Sequence, residues 1–272
     1  MINFFYFIPY INHGPPPGYS IIQELPLDKI KRLIFGNVAE FEIIRKIFSN
    51  NKLLLERKEK IFFKNGVWKN SQSAYFAWKN NLEDSNFCYI ETQMNLIKGK
   101  GLSASSLPSF YVNYIHDKKK NFLSDGTEKY GNPRVIAQSN EFDMYVDGYP
   151  AVNVNKQRNT TYSISVINPY KTQKTLTLEV EGLKLRKNFR VDPHSVKTYN
   201  VYDIIQKDSW TGQIYLFGKR RIILFLINHD FNNVNNITTL EHSDPFRAEH
   251  TYKPRMQHLR SFIHEKFKEM LS

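Results

Sequence analysis

The chain is expected to be mainly β: antiparallel sandwiches of immunoglobulin-like or jelly-roll type, closed by a C-terminal amphipathic helix. Three observations predict this. Between residues 132 and 205, short β-branched and aromatic runs such as Tyr162-Ser-Ile-Ser-Val-Ile167 and Thr175-Leu-Thr-Leu-Glu-Val180 alternate with turn dipeptides. Those dipeptides are Asp147-Gly148, Asn168-Pro169, Glu181-Gly182 and Asp192-Pro193. Aromatic residues make up 14% of the chain, with 20 Phe and 16 Tyr, and they suit a pleated, half-buried surface.

The N-terminal elements read in order as follows. Met1 to Tyr10 is apolar, but it lacks a basic start, is cut by Pro9 and is followed by no small-residue cleavage site. It is therefore not expected to be a signal peptide, and it is far below the roughly 20 residues that span a bilayer. A soluble, cytoplasmic protein is the expectation. Residues 12 to 19, Asn-His-Gly-Pro-Pro-Pro-Gly-Tyr, read as a stiff connector, and Leu27 to Phe35 has helical spacing. Residues 1–35 are thus read as an N-terminal extension.

Residues 36–130 read as a first β-rich region. Phe41 to Phe48 and Leu53 to Leu55 flank Asn50-Asn51; Ile61 to Phe63 and Val67-Trp68 flank Asn65-Gly66, a type I′ hairpin signal. Further strands are expected at Tyr75 to Trp78, Phe87 to Ile97 and Phe110 to Ile115. Lys98 to Pro108 reads as a boundary loop and Lys118 to Asn132 as a polar connection.

Residues 131–250 read as the sandwich proper, extended by strands at Gly212 to Phe217, Arg221 to Asn228 and Ile237 to Leu240. The two β regions could also form one domain. In residues 251–272, Pro254 opens a pattern with Met256, Leu259, Ile263, Phe267 and Met270 on one face, which predicts a helix packed on the sheet.

The net charge is +12 over 272 residues. Such a field favours polyanions: acidic glycans, anionic surfaces or nucleic acid. Basic clusters stand at Lys118-Lys119-Lys120, Leu183 to Lys187 and Lys219-Arg220-Arg221, each near an expected turn. Tyr215, Phe217, Lys219 and Arg221 alternate as a nucleic-acid platform would. Cys88 is the single cysteine, which excludes an intramolecular disulfide and a cysteine-based zinc site. It is expected to be a buried small hydrophobe.

No cofactor and no metal are expected, because nucleotide-binding, hydrolase and zinc-protease signatures are absent; Gly99-Lys100-Gly101 lacks the spacing of a phosphate loop. Glu241-His242-Ser243-Asp244, with Glu249-His250 beyond, is the densest titratable cluster and is read as a polar loop. His229-Asp230 reads as a strand exit. Asp192-Pro193-His194-Ser195 resembles a base and nucleophile on paper, but turn chemistry accounts for it.

A ligand edge is expected at Asp143, Tyr145, Asp147, Tyr149 and Tyr170, where aromatic rings at two turns would stack on sugars while carboxylates bind hydroxyls. The sequence therefore points to a non-catalytic β-sandwich binding or structural module for a glycan or other anionic surface. The alternatives are a carbohydrate-active or other hydrolytic enzyme using carboxylates near Asp143/Asp147 and Glu241/His242, and a nucleic-acid-binding protein.

Overall fold

The computed structural model describes residues 3–11, 19–24, 38–65, 67–69, 76–78, 87–99, 111–116, 122–126, 129–130, 144–219, 223–233, 236–243 and 246–247. These residues are mainly β, with antiparallel ladders throughout and one short helix. The helix expected over 254–271, the segment 27–35 and the connector 12–18 lie outside the described residues, as do Asp143, Asp244, Glu249 and His250.

The first sheet has the order β10 (Lys129–Tyr130), β1 (Asn3–Ile11), β7 (Phe87–Lys98), β3 (Val38–Ser49), β4 (Lys52–Lys64), β5 (Val67–Lys69). The second has the order β6 (Phe76–Trp78), β2 (Tyr19–Glu24), β8 (Tyr111–His116), β9 (Phe122–Gly126). Two expectations change here. The apolar N-terminal run, Pro9 included, pairs with β7 from Asn3 to Ile11. The polar stretch after Lys118 carries β9 and β10, whose partners β8 and β1 supply ladders that a local reading does not contain.

Turn chemistry explains the β3–β4 hairpin. Asn50 and Asn51 both have positive φ, at 47° and 64°, the primed-turn geometry whose twist matches the strands. Asn65, at φ 52°, plays the same part between β4 and β5. Every second residue of β3 then faces inward: Ala39, Phe41, Ile43, Arg45 and Ile47 are at most 1% exposed. Arg45 interrupts this apolar row. Its guanidinium donates to Glu59 Oε2 at 2.8 Å, and burial together with neighbouring Arg57 lowers its pKa against the pull of Glu59.

The third sheet collects β11 (Met144–Asn155), β12 (Thr160–Asn168), β13 (Lys174–Val180), β14 (Leu185–Val191), β15 (Ser195–Asn200), β16 (Ser209–Lys219), β17 (Ile223–Asp230), β18 (Ile237–Ser243) and β19 (Phe246–Arg247). It divides in two at the β11–β12 hairpin. These strands pair only at Asn155 and Thr160. Beyond that point β15 takes the side of β12 that β11 leaves, while β11 continues beside β16. One ladder is then β14-β13-β16-β11-β19 and the other β15-β12-β17-β18.

Both ladders feed one core. Val152, Val154, Leu176, Leu178, Ile214 and Leu216 of the first cluster with Ile164, Val166, Leu224 and Leu226 of the second. Each such side chain contributes roughly 1.5–3 kcal/mol when fully buried. The helix α1 (Val201–Ile205) sits where β15 ends and adds Val201, Ile204 and Ile205 to that core. Asn200 caps it by accepting from Tyr202 N at 2.9 Å.

Asp147-Gly148-Tyr149-Pro150, read as a turn from sequence, runs inside β11. Gly148 keeps its register opposite Tyr215, and the ladder shifts by one residue between Tyr149 and Val152, so Pro150 falls in a β-bulge. A bulge, like a turn, accommodates a residue that has no ladder N–H to donate.

Candidate functional site

Asp192-Pro193-His194-Ser195 is assembled by turn chemistry, as the sequence suggests. Ser195 Oγ donates to Asp192 O at 2.6 Å, and His194 N donates to Tyr170 O at 3.2 Å. Asn168, fully buried, holds the turn from beneath. Its Nδ2 donates to the carbonyls of Thr172, Val191 and Asp192 at 2.9–3.0 Å, while its Oδ1 accepts from Tyr170 N. The amide thus makes four bonds to backbone groups, and Ser195 points its proton at the chain rather than at a reacting atom.

One serine–histidine pair that the sequence does not announce is present. Ser163 on β12 and His229 on β17 meet with Oγ 2.8 Å from Nε2. His229 Nδ1 donates to Asp230 O at 2.9 Å, because a carbonyl can only accept. Nε2 is therefore the acceptor of the neutral ring, and Ser163 donates to it. Geometrically this is a nucleophile beside a base. Yet Ser163 is 7% exposed and His229 is 2% exposed, and burial lowers the His229 pKa. The pair is interior, and Thr161, opposite His229 in the ladder, makes a separate bond to Asn200. It does not open to a substrate.

Glu241 and His242 lie in β18, not in a loop, opposite Leu226 and Phe225. Asp147 pairs with Leu216 in the other ladder, with β12 and β17 intervening in the strand order. Among the described residues no group of three His, Cys, Asp or Glu could hold a metal ion. Among them, too, no helix is long and apolar enough to cross a membrane.

Of the expected ligand edge, Tyr145, Asp147 and Tyr149 occupy alternate positions of β11, opposite Gly218, Leu216 and Ile214. Gly218 in turn faces Leu176 on β13, two residues from Lys174, so Tyr145 and the Tyr170 loop share one end of the ladder. Tyr170 itself is 6% exposed, and the Lys174 ammonium lies 4.4 Å from its ring centroid. That ring face is already occupied.

A different surface is open. On β14, burial alternates: Arg186, Asn188 and Arg190 are exposed while Leu185, Lys187 and Phe189 are half-buried. The exposed set pairs across the strands with Glu179, Thr177 and Thr175 of β13. Glu179 continues to Tyr215 on β16, beside Gln213, to which the Tyr215 hydroxyl donates. Three strands spaced about 4.8 Å apart and five residues long give a polar face about 10 Å by 13 Å.

Charge on this face is partly matched. Arg186 Nε lies 3.3 Å from Glu179 Oε1, and Thr177 donates to Asn188 at 2.8 Å. The Arg190 guanidinium has no ion-pair partner among the described residues, and Lys184 is exposed in the adjacent turn. Beyond Gln213 the same side of the sheet reaches Thr211 and its partner Asn153, whose Oδ1 is buried without a hydrogen-bond partner. The sequence did contain this signal, as the period-two polar set Arg186, Asn188, Arg190 inside what reads as a basic turn. Tyr215, Phe217 and Lys219 do alternate on β16, and Arg221 lies outside the described residues.

In comparisons with known proteins, no family model matches the chain and no curated protein matches it.

Proposed function

We propose that this chain is a non-catalytic binding or structural module built on an immunoglobulin-like β-sandwich, and that it recognises an anionic glycan. The open face of β14, β13 and β16 is the proposed site. The observation that carries the reading is the alternation of exposed Arg186, Asn188 and Arg190 beside Thr175, Thr177, Gln213 and Tyr215. Guanidinium groups suit carboxylate or sulfate, the amides and hydroxyls suit sugar hydroxyls, and a tyrosine ring suits the apolar side of a pyranose. Asn153 Oδ1 adds an acceptor that is already desolvated.

Catalysis is not favoured, because the serine and histidine residues that meet in the interior serve backbone groups and one another. Beyond β16 the next strand of this ladder is β11. The test is retention of the purified chain on a sulfated polysaccharide matrix at low salt, together with a glycan array. Retention that falls steeply with salt and is competed by acidic glycans supports the reading. Absence of retention overturns it, and a stronger preference for DNA or RNA reassigns the face to nucleic acid.

A further inference from the structure

We propose that β4 is a self-pairing edge, through which a second copy of this chain adds antiparallel to the first sheet about a two-fold axis at Lys58. Along Lys52 to Ile61, β4 pairs only with β3 among the described residues; β5 covers no more than Phe62 to Lys64. The segment is exposed: Leu53 is at 49%, Leu54 at 40%, and the Lys58 and Lys60 side chains at 60% and 61%. A long open edge of this kind is a template for another strand.

The sequence says which strand fits. Read from Lys58 in both directions, Arg57 meets Glu59, Glu56 meets Lys60 and Leu55 meets Ile61. Every pair but the central Lys58 is complementary when the segment lies antiparallel to its own copy. Backbone geometry agrees. Lys64 and Val67 are partners with two residues between them across the β4–β5 connection, and a pair closing so short a hairpin is a hydrogen-bonded one. Alternate residues Phe62, Lys60, Lys58 and Glu56 then direct their N–H and C=O groups to the same outer side. The axis at Lys58 makes its pairing hydrogen-bonded and puts Arg57 and Glu59 at the close, non-hydrogen-bonded positions, where side chains approach most nearly.

Arg57 faces Arg45 directly across the β3–β4 ladder and contributes to lowering the Arg45 pKa. Glu59 bonds Arg45 through Oε2, and a partner's Glu59 would bring a second carboxylate to this pair of guanidinium groups.

Sedimentation equilibrium of the full chain over a wide concentration range tests the proposal, with circular dichroism as the folding control. Three variants are compared: Lys58→Pro, Lys60→Glu, and the swap Glu56→Lys with Lys60→Glu. Pro at Lys58 removes an outward N–H and leaves the β3 ladder intact. Expected is a reversible dimer whose affinity falls at least about tenfold in Lys58→Pro and in Lys60→Glu, and returns in the swap. A chain that stays monomeric at about millimolar concentration overturns the proposal. So does a dimer of unchanged affinity in folded Lys58→Pro.

Discussion

The Tyr89 hydroxyl lies 3.4 Å from His194 Nδ1, joining β7 of the first sheet to the β14–β15 turn of the third. Phe48 stacks on both rings, at 5.3 Å from Tyr89 and 5.0 Å from His194. Asn51 N, in the β3–β4 turn, donates to His194 O at 3.3 Å. Burial, with Glu91 nearby, raises the Tyr89 pKa, so its hydroxyl keeps its proton. His194 is thus a junction between ladders, held in a left-handed conformation at φ 45°.

His194→Ala is expected to destabilise the chain by about 1–3 kcal/mol, through lost ring stacking and the retained positive φ. Urea titration of His194→Ala, Phe48→Ala and the double variant checks it. The two substitutions should couple by at least about 0.5 kcal/mol, and simple additivity would remove the junction.

Asn168→Ala is expected to be among the most damaging substitutions, at about 3–5 kcal/mol. It leaves the carbonyls of Thr172, Val191 and Asp192 and the N–H of Tyr170 without their side-chain partner, at roughly 1–3 kcal/mol for each group left unsatisfied. Denaturant titration measures this directly. A loss below about 1 kcal/mol would mean that water replaces the amide.

His229 supplies a pH dependence of definite sign. Its folded pKa lies below the ordinary 6.5 because burial disfavours the imidazolium. The unfolded chain therefore binds the extra proton first as pH falls. The stability contributed by the neutral ring is complete above about 6.5, and it is lost as pH falls from there through the folded value. Unfolding free energy measured from about pH 7 to pH 4 should fall less steeply in His229→Asn than in the wild type. Equal slopes would place the titration elsewhere.

Gly99→Ala should destabilise by about 2–4 kcal/mol, since two penalties coincide. The residue has φ 130°, and an added Cβ would stand 2.8 Å from Ala39 Cβ in the packed row of β3. Thermal unfolding checks it, and the paired variant Ala39→Gly/Gly99→Ala should recover only the steric part.

How much was legible follows from where each signal lives. Turns are local, so those at Asn50-Asn51, Asn65, Glu181-Gly182 and Asp192-Pro193 stood where the sequence put them. Pro150 misled because a bulge, like a turn, accommodates a residue without a ladder N–H, while Gly148 stays in the regular ladder opposite Tyr215. Pairing partners are not local: nothing near Asn3 or Phe122 indicates that β7 and β8 lie beside them. Ser163 and His229, 66 residues apart, meet only because β12 and β17 pair in that register. The polar face of β14 was legible in the alternation of Arg186, Asn188 and Arg190, but its basic residues also fit the solvated turn that begins two residues earlier.

The most direct test of the proposed function compares the wild type with Arg186→Ala/Arg190→Ala on a sulfated polysaccharide matrix. Both side chains are exposed, so folding should be unchanged by circular dichroism. The account predicts elution at clearly lower salt, with affinity reduced about tenfold or more for the loss of two charge-assisted contacts. Identical elution of the two proteins would contradict it.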